Sequence, residues 1–154
     1  MTVGNEPPAC SAKTVPVDSV RIVIADDHAP SLAVFTRMLQ PEFSVVGTAK
    51  NGQEALAVAG ALHPDVVVLD IEMPVMDGLI AARRLMASDP AARVVFLTTY
   101  ADPDYVEAAL NLGAAGYVLK SRAALDLSRA IRLAMLGQQF VSPGANPTSP
   151  ILPR

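Results

Sequence analysis

The chain has 154 residues, 51% of them hydrophobic and 18% charged, which is long enough to bury one core and too apolar for a disordered protein. Its net charge of -3 gives no general attraction to nucleic acid or to an anionic membrane. Cys10 is the sole cysteine, so no intramolecular disulfide can form. The start MTVGNEPPAC lacks a basic, apolar leader and no apolar run reaches transmembrane length, so the chain reads as soluble and cytoplasmic.

Residues 1–19 carry Pro7, Pro8 and Pro16 without apolar periodicity and read as a disordered tail. A strand is then predicted near Arg21 to Ala25 and a helix near Ala29 to Leu39, whose Leu32, Phe35, Met38 and Leu39 share one stripe for packing on a sheet. A strand near Ser44 to Ala49 and a helix near Gly52 to Leu62 follow, joined at Asn51-Gly52, which reads as a tight turn. Next come a strand at Val66 to Leu69, a helix near Gly78 to Ala87 and a strand at Arg93 to Leu97. The helix near Pro103 to Leu112 is punctuated at both ends, by an N-cap and first-turn proline at Asp102-Pro103 and by Gly113 as its left-handed closing residue. A strand at Gly116 to Leu119 and a helix near Arg122 to Leu136, with Ser121 as its N-cap, complete the alternation. Residues 138–154 hold Pro143, Pro147, Pro150 and Pro153 and read as a flexible proline-rich tail, leaving one domain over residues 20–137.

This (βα)5 alternation, with short Val/Ile/Leu runs separated by helix-length segments, is the pattern of a parallel sheet covered on both faces. Four of the runs end in residues suited to phosphate chemistry: RIVIA in Asp26-Asp27, VVVL in Asp70, VVFL in Thr98 and GYVL in Lys120. Parallel strands point the same way, so these residues gather in the crevice outside the carboxyl ends, where open α/β sheets bind ligands. Asp70 ends the central strand and is the candidate nucleophile, because a carboxylate accepts a phosphoryl group to give an acyl phosphate. Three crowded carboxylates repel one another unless a cation sits among them, and Mg2+ suits a few carboxylate oxygens with phosphate and water. Lys120 supplies a point charge for a phosphate oxygen, and Thr98 a neutral donor.

Other conspicuous residues carry plainer readings. Asp26-Asp27-His28 lacks the second histidine or cysteine of a transition-metal site, so His28 reads as a solvated residue at the start of the first helix. His63, before Pro64, reads as a surface residue or a partner of the helix C-terminal dipole, and Arg83-Arg84 as a solvated face. Met73-Pro74 shapes the loop after Asp70, with a peptide bond that is either cis or trans. The last helix carries Leu125, Leu127, Ile131, Leu133, Met135 and Leu136, more than one buried stripe requires. A dimer or partner face shared with helix 4 and strand 5 therefore stands beside a wide buried face with stray exposed residues.

From Val20 to about Gly137 the chain resembles a response-regulator receiver domain, the kind that precedes a helix-turn-helix in LuxR/NarL-type regulators. The resemblance is carried by Asp26-Asp27, VVGTAKNGQEAL, PDVVVLDIEMPVMDG around Asp70, VVFLTTY with Thr98, and LGAAGYVLK ending at Lys120. It implies a flavodoxin-like fold with a five-stranded sheet in the order 2-1-3-4-5. It also implies Mg2+ held directly by Asp27, Asp70 and the backbone carbonyl of Glu72, with Asp26 acting largely through water. Thr98 would move toward the phosphoryl group, and Tyr117 would turn inward with it as a switch; for Tyr117 alone a half-buried packing role is the other reading. Glu72 and Tyr100 occupy the positions that in receivers overlook the path of water to the acyl phosphate.

Three function classes follow. The first is a non-enzymatic signalling module that takes phosphate from a phosphohistidine on a sensor histidine kinase or phosphotransfer protein, with Mg2+-dependent self-phosphorylation and autodephosphorylation as its only chemistry. In this reading it switches a protein surface, can pair with itself through helix 4, strand 5 and helix 5, and touches neither DNA nor membrane. The second is a LuxR/NarL-type transcription regulator truncated before its helix-turn-helix, since only 17 residues follow Gly137. The third is an aspartyl-nucleophile phosphatase of the haloacid-dehalogenase kind, which needs an aspartate two residues after the nucleophile where this chain has Glu72.

Overall fold

The computed structural model describes residues 20–146. Cys10, Pro7, Pro8, Pro16 and the last three prolines lie outside the described residues. Within them the order is β1 (Arg21–Ala25), α1 (Ala29–Leu39), β2 (Ser44–Ala49), α2 (Gly52–Leu62), β3 (Val66–Leu69), α3 (Gly78–Ser88), β4 (Arg93–Thr98), α4 (Pro103–Asn111), β5 (Gly116–Leu119), a single 3-10 turn (Lys120–Arg122), α5 (Ala123–Met135) and β6 (Phe140–Val141).

The strands form one sheet in the order β2-β1-β3-β4-β5-β6, with each neighbouring pair parallel. Period-2 alternation divides the central strands between two cores. Ile22, Ile24, Val66, Val68, Val95, Leu97 and Val118 face Phe35 and Leu39 of α1 and Leu127 and Ile131 of α5. Val23, Val67, Leu69, Val94, Phe96 and Tyr117 face the α2, α3 and α4 side, where Ala55, Ala81, Leu85 and Val106 are buried. Both faces being covered explains why these strands read as unbroken apolar runs.

Loop geometry at the C-terminal edge is set by close backbone approach. Gly78 donates its N–H to Ile71 O at 2.7 Å, and a Cβ there would lie 2.0 Å from Asp70 O. Gly52 similarly donates to Met76 O at 3.0 Å, where a Cβ would lie 2.3 Å from that oxygen. Asn51-Gly52 is therefore not a free-standing turn. Asn51 caps α2, accepting from Glu54 N at 2.8 Å, and Gly52 lets the helix start touch the loop after β3. The Met73-Pro74 peptide is trans.

The structure differs from the sequence expectations at three further points. Ser121 lies in the 3-10 turn, and α5 begins after Arg122 without a side-chain cap. Asp102 occupies the N-cap position of α4 but makes no side-chain cap bond, while Gly113 adopts φ +96 as expected of a closing residue. Residues 138–146 are no loose tail. Phe140 and Val141 pair with Gly116 and Tyr117 as a sixth strand, and Ser142 and Ala145 are buried. Proline content misled here because Pro143 and Gly144 follow the strand, where they form a turn rather than prevent pairing.

Candidate functional site

Asp26 follows β1, Asp70 follows β3, Thr98 ends β4 and Lys120 follows β5, so the parallel register delivers all four to one edge. Asp26, Asp27 and Asp70 each offer a carboxylate oxygen within 4.8 Å of the others, with Asp26 and Asp70 buried and Asp27 exposed. Lys120 Nζ lies 2.7 Å from Asp26 Oδ2 and 2.9 Å from Asp70 Oδ2. The Asp70 contact is a directed hydrogen bond. At Asp26 the ammonium is close but off the hydrogen-bonding directions, leaving Oδ2 buried without a directed donor.

The remaining bonds orient these groups. Asp70 Oδ1 accepts from Ile71 N at 2.7 Å, and Asp26 Oδ1 accepts from His28 N at 2.9 Å. His28 is the N-cap of α1, its Nδ1 accepting from Ser31 N, which occupies the ring with the helix rather than with a metal. Burial pushes the Asp70 carboxyl above its ordinary range; Lys120 opposes this and Asp26 adds to it. For Lys120, burial disfavours the charged form, but the contacts with Asp26 and Asp70 outweigh it and hold the ammonium above its usual value.

An open cleft of about 420 Å³ sits over the carboxylates, lined by Asp27, Asp70, Glu72, Met73, Pro74, Thr99 and Tyr100. Thr98 is not among its lining residues. Thr98 is fully buried and its Oγ1 accepts from Tyr100 N at 3.2 Å. Tyr117 is also fully buried rather than half-buried, and its hydroxyl donates to Tyr100 O at 2.6 Å. The Tyr100 hydroxyl donates to Glu72 Oε1, while its ring stacks on Tyr105 of α4 with centroids 4.9 Å apart. Tyr100 thus touches Thr98, Tyr117 and Glu72 together. That bond pushes the Tyr100 phenol up to about 12, and burial holds the Tyr117 phenol higher still.

The donor set fits a hard divalent cation. All three carboxylates supply oxygen, the ligand type that Mg2+ prefers, and Asp26 Oδ2 is a buried charged atom short of a directed partner. The Glu72 side chain is exposed and its Oε1 accepts from the Tyr100 hydroxyl, and it is not among the three clustered carboxylates.

Sequence reasoning missed Thr99, the Glu72–Tyr100 bond and the buried pair Asp126–Ser142. Thr99 carried no signal beyond adjacency to a strand end. Asp126 did carry one, since it lies on the stripe Ala123, Leu127, Ala130, Ile131, Ala134 that α5 buries, where a carboxylate requires a partner. Arg83, Arg84 and His63 are exposed, as read from the sequence.

Residues 22–132 match the model of the response regulator receiver domain family. The chain belongs to this family. Its relatives and structural neighbours include LuxR/NarL-type response regulators of two-component systems. The receiver domain is 41% identical over 126 residues to the transcriptional regulatory protein YvfU of Bacillus subtilis, covering 80% of this chain and 63% of that protein. It superposes on the signal receiver domain of NarL from Mycobacterium tuberculosis with a TM-score of 0.74 at 33% identity, covering 79% of this chain and 99% of that one. The receiver domain of RcsB from Salmonella enterica, solved with the phosphomimetic BeF3-, matches at TM-score 0.76 and 26% identity, covering 82% and 96%. The chain spans about three fifths of the length of the curated relatives it matches. Among the described residues no helix is long and apolar enough to cross a membrane.

Proposed function

We propose that this receiver domain is the phosphoacceptor of a two-component relay, taking a phosphoryl group onto Asp70 from a phosphohistidine on a sensor histidine kinase or phosphotransfer protein in the cytoplasm. The observation that carries this reading is a single arrangement: Asp70 in an open cleft, bonded to Lys120 at 2.9 Å, with Asp26 and Asp27 oxygens within 4.8 Å. In the transfer, an Asp70 oxygen bonds to phosphorus as the donor's P–N bond breaks, and the departing imidazole keeps the bonding pair and takes up a proton. Mg2+ held by Asp26, Asp27 and Asp70 with the Glu72 carbonyl would offset negative charge on the transferring group. Lys120 then follows the charge from the carboxylate to a phosphoryl oxygen.

Thr98 and Tyr117 make the switch. Both are bonded to the Tyr100 backbone, at N and O respectively, so turning the Thr98 hydroxyl toward the phosphoryl group breaks one of the bonds that fix the β4–α4 segment. The surface formed by α4, β5 and α5 changes with it, and offers a site for a protein partner or a second copy. The domain turns over no metabolite; phosphorylation from small donors and autodephosphorylation are its only chemistry.

The test is labelling with acetyl phosphate and Mg2+. Wild type should gain one phosphate and Asp70→Asn none, and chelation should abolish labelling. Equal labelling of the variant would overturn the assignment. A second reading, that the domain serves a longer DNA-binding regulator, is favoured by the additional length of its transcription-regulator relatives. It is decided by whether the natural reading frame continues into a helix-turn-helix.

A further inference from the structure

The sixth strand brings a hydroxyl to the turn that carries Lys120. Ser142 is 1% exposed and sits 23 residues beyond Leu119 in the chain, yet its Oγ accepts from Leu119 N at 3.1 Å. The same hydroxyl donates to Asp126 Oδ2 at 2.8 Å, using both capacities of a serine oxygen. Asp126 Oδ2 also accepts from Arg122 Nε at 2.8 Å and is itself 4% exposed. Leu119 and Arg122 flank Lys120 and Ser121, so one continuous chain of three hydrogen bonds closes around the 3-10 turn. Ser142 N adds a fourth bond to Tyr117 O at 2.9 Å.

We infer that Ser142 is a positioning residue for Lys120: with Asp126 it clamps both ends of the turn bearing the ammonium, and so supports the phosphoryl site from a segment beyond the five-strand core. Lysine reaches its target through four flexible carbons, so the cost of holding Nζ at one point depends on how firmly its own backbone is fixed. Without the hydroxyl, Leu119 N is a buried donor without that acceptor and Asp126 loses one of two donors. The turn then loosens, and Lys120 with it. The backbone that carries Asp26, Asp27 and Asp70 follows β1 and β3, outside the clamp.

The inference rests on the phosphoacceptor reading of Asp70, and the experiment separates the two. Beryllofluoride with Mg2+ is titrated into wild type, Ser142→Ala, Ser142→Thr and Val141→Ala, the last weakening the sixth strand while sparing the hydroxyl. Mg2+ alone is titrated in parallel. Ser142→Ala should bind beryllofluoride about fivefold more weakly, the scale of one buried hydrogen bond, with Mg2+ affinity not reduced, since the Lys120 ammonium competes with a cation for Asp26 and Asp70. Ser142→Thr should recover most of the loss and Val141→Ala should show little. Nuclear magnetic resonance should report faster exchange of the Leu119 amide and lower order of the Lys120 side chain in Ser142→Ala. Unchanged beryllofluoride affinity in Ser142→Ala, or an equal loss of Mg2+ affinity, would overturn the clamp. A wild type that binds no beryllofluoride would overturn the phosphoacceptor reading instead; the clamp then stands if Lys120 order falls in Ser142→Ala and fails if it does not.

Discussion

Tyr100 is the residue on which the site's separate parts meet. Its ring lines the cleft, its hydroxyl holds Glu72 and its backbone holds Thr98 and Tyr117. In-line attack by water on an aspartyl phosphate needs an open trajectory opposite the leaving carboxylate, and a ring stacked on Tyr105 at this rim narrows it. Tyr100→Ala should therefore shorten the phosphoryl lifetime several-fold, measured as loss of bound phosphate in excess Mg2+ after the donor is removed. An unchanged or longer lifetime would count against shielding. Tyr117 supports a different measurement. Burial holds its phenol above the ordinary value of 10.0, so the folded state resists ionisation that the unfolded chain undergoes freely. Its contribution to stability is complete below pH 10 and is lost as pH rises beyond it. Tyr117→Phe, lacking the bond to Tyr100 O, should cost about 1 kcal/mol at neutral pH. That gap should narrow above pH 10 in urea denaturation, because only wild type then carries the penalty; a widening gap would refute the sign. That Asp26, Asp27, Asp70, Thr98 and Lys120 gather at one edge of the sheet was legible in the sequence because a polar residue closing an apolar strand run is a local pattern. The Glu72–Tyr100 bond was not, since residues 28 apart meet only through strand register.

At the scale of elements, alternation of strand and helix was readable to within one or two residues because both faces of the sheet are covered and β1, β3, β4 and β5 are each built on a buried apolar run. The sixth strand was hidden. Two residues, Phe140 and Val141, carry no periodicity, and their strand exists only because the outer edge of β5 is open to receive it. Helix starts divide along the same line between sequence type and tertiary geometry. Asn51 and Asp102 are equally good N-cap residues by type, but only Asn51 makes the cap bond, at 2.8 Å to Glu54 N. Asn51→Ala should therefore cost about 1 kcal/mol. Asp102→Ala should stay within about 0.5 kcal/mol, as expected for a surface change that breaks no cap. Equilibrium denaturation of the two variants checks the contrast, and equal costs would show that the Asp102 side chain caps α4 in solution.

Over the whole molecule, the described helices pack against the sheet, and the net charge of -3 opposes approach to phosphate backbones. This chain alone should give no sequence-specific footprint on DNA at physiological salt, with or without phosphorylation; a footprint that survives competitor DNA would refute this. The parallel sense of the last strand pair has a practical consequence. Because β6 runs alongside β5 in the same direction, the backbone returns from the far end of α5 and reaches Ser142 heading toward the edge of the sheet that holds Asp70, whereas residue 20 enters β1 from the opposite side. A fluorescent reporter or affinity handle fused close behind β6 would load the strand whose Ser142 hydroxyl bonds Leu119 N, next to Lys120. The same handle joined ahead of Val20 starts from the opposite side, which makes the amino end the attachment point for phosphotransfer assays.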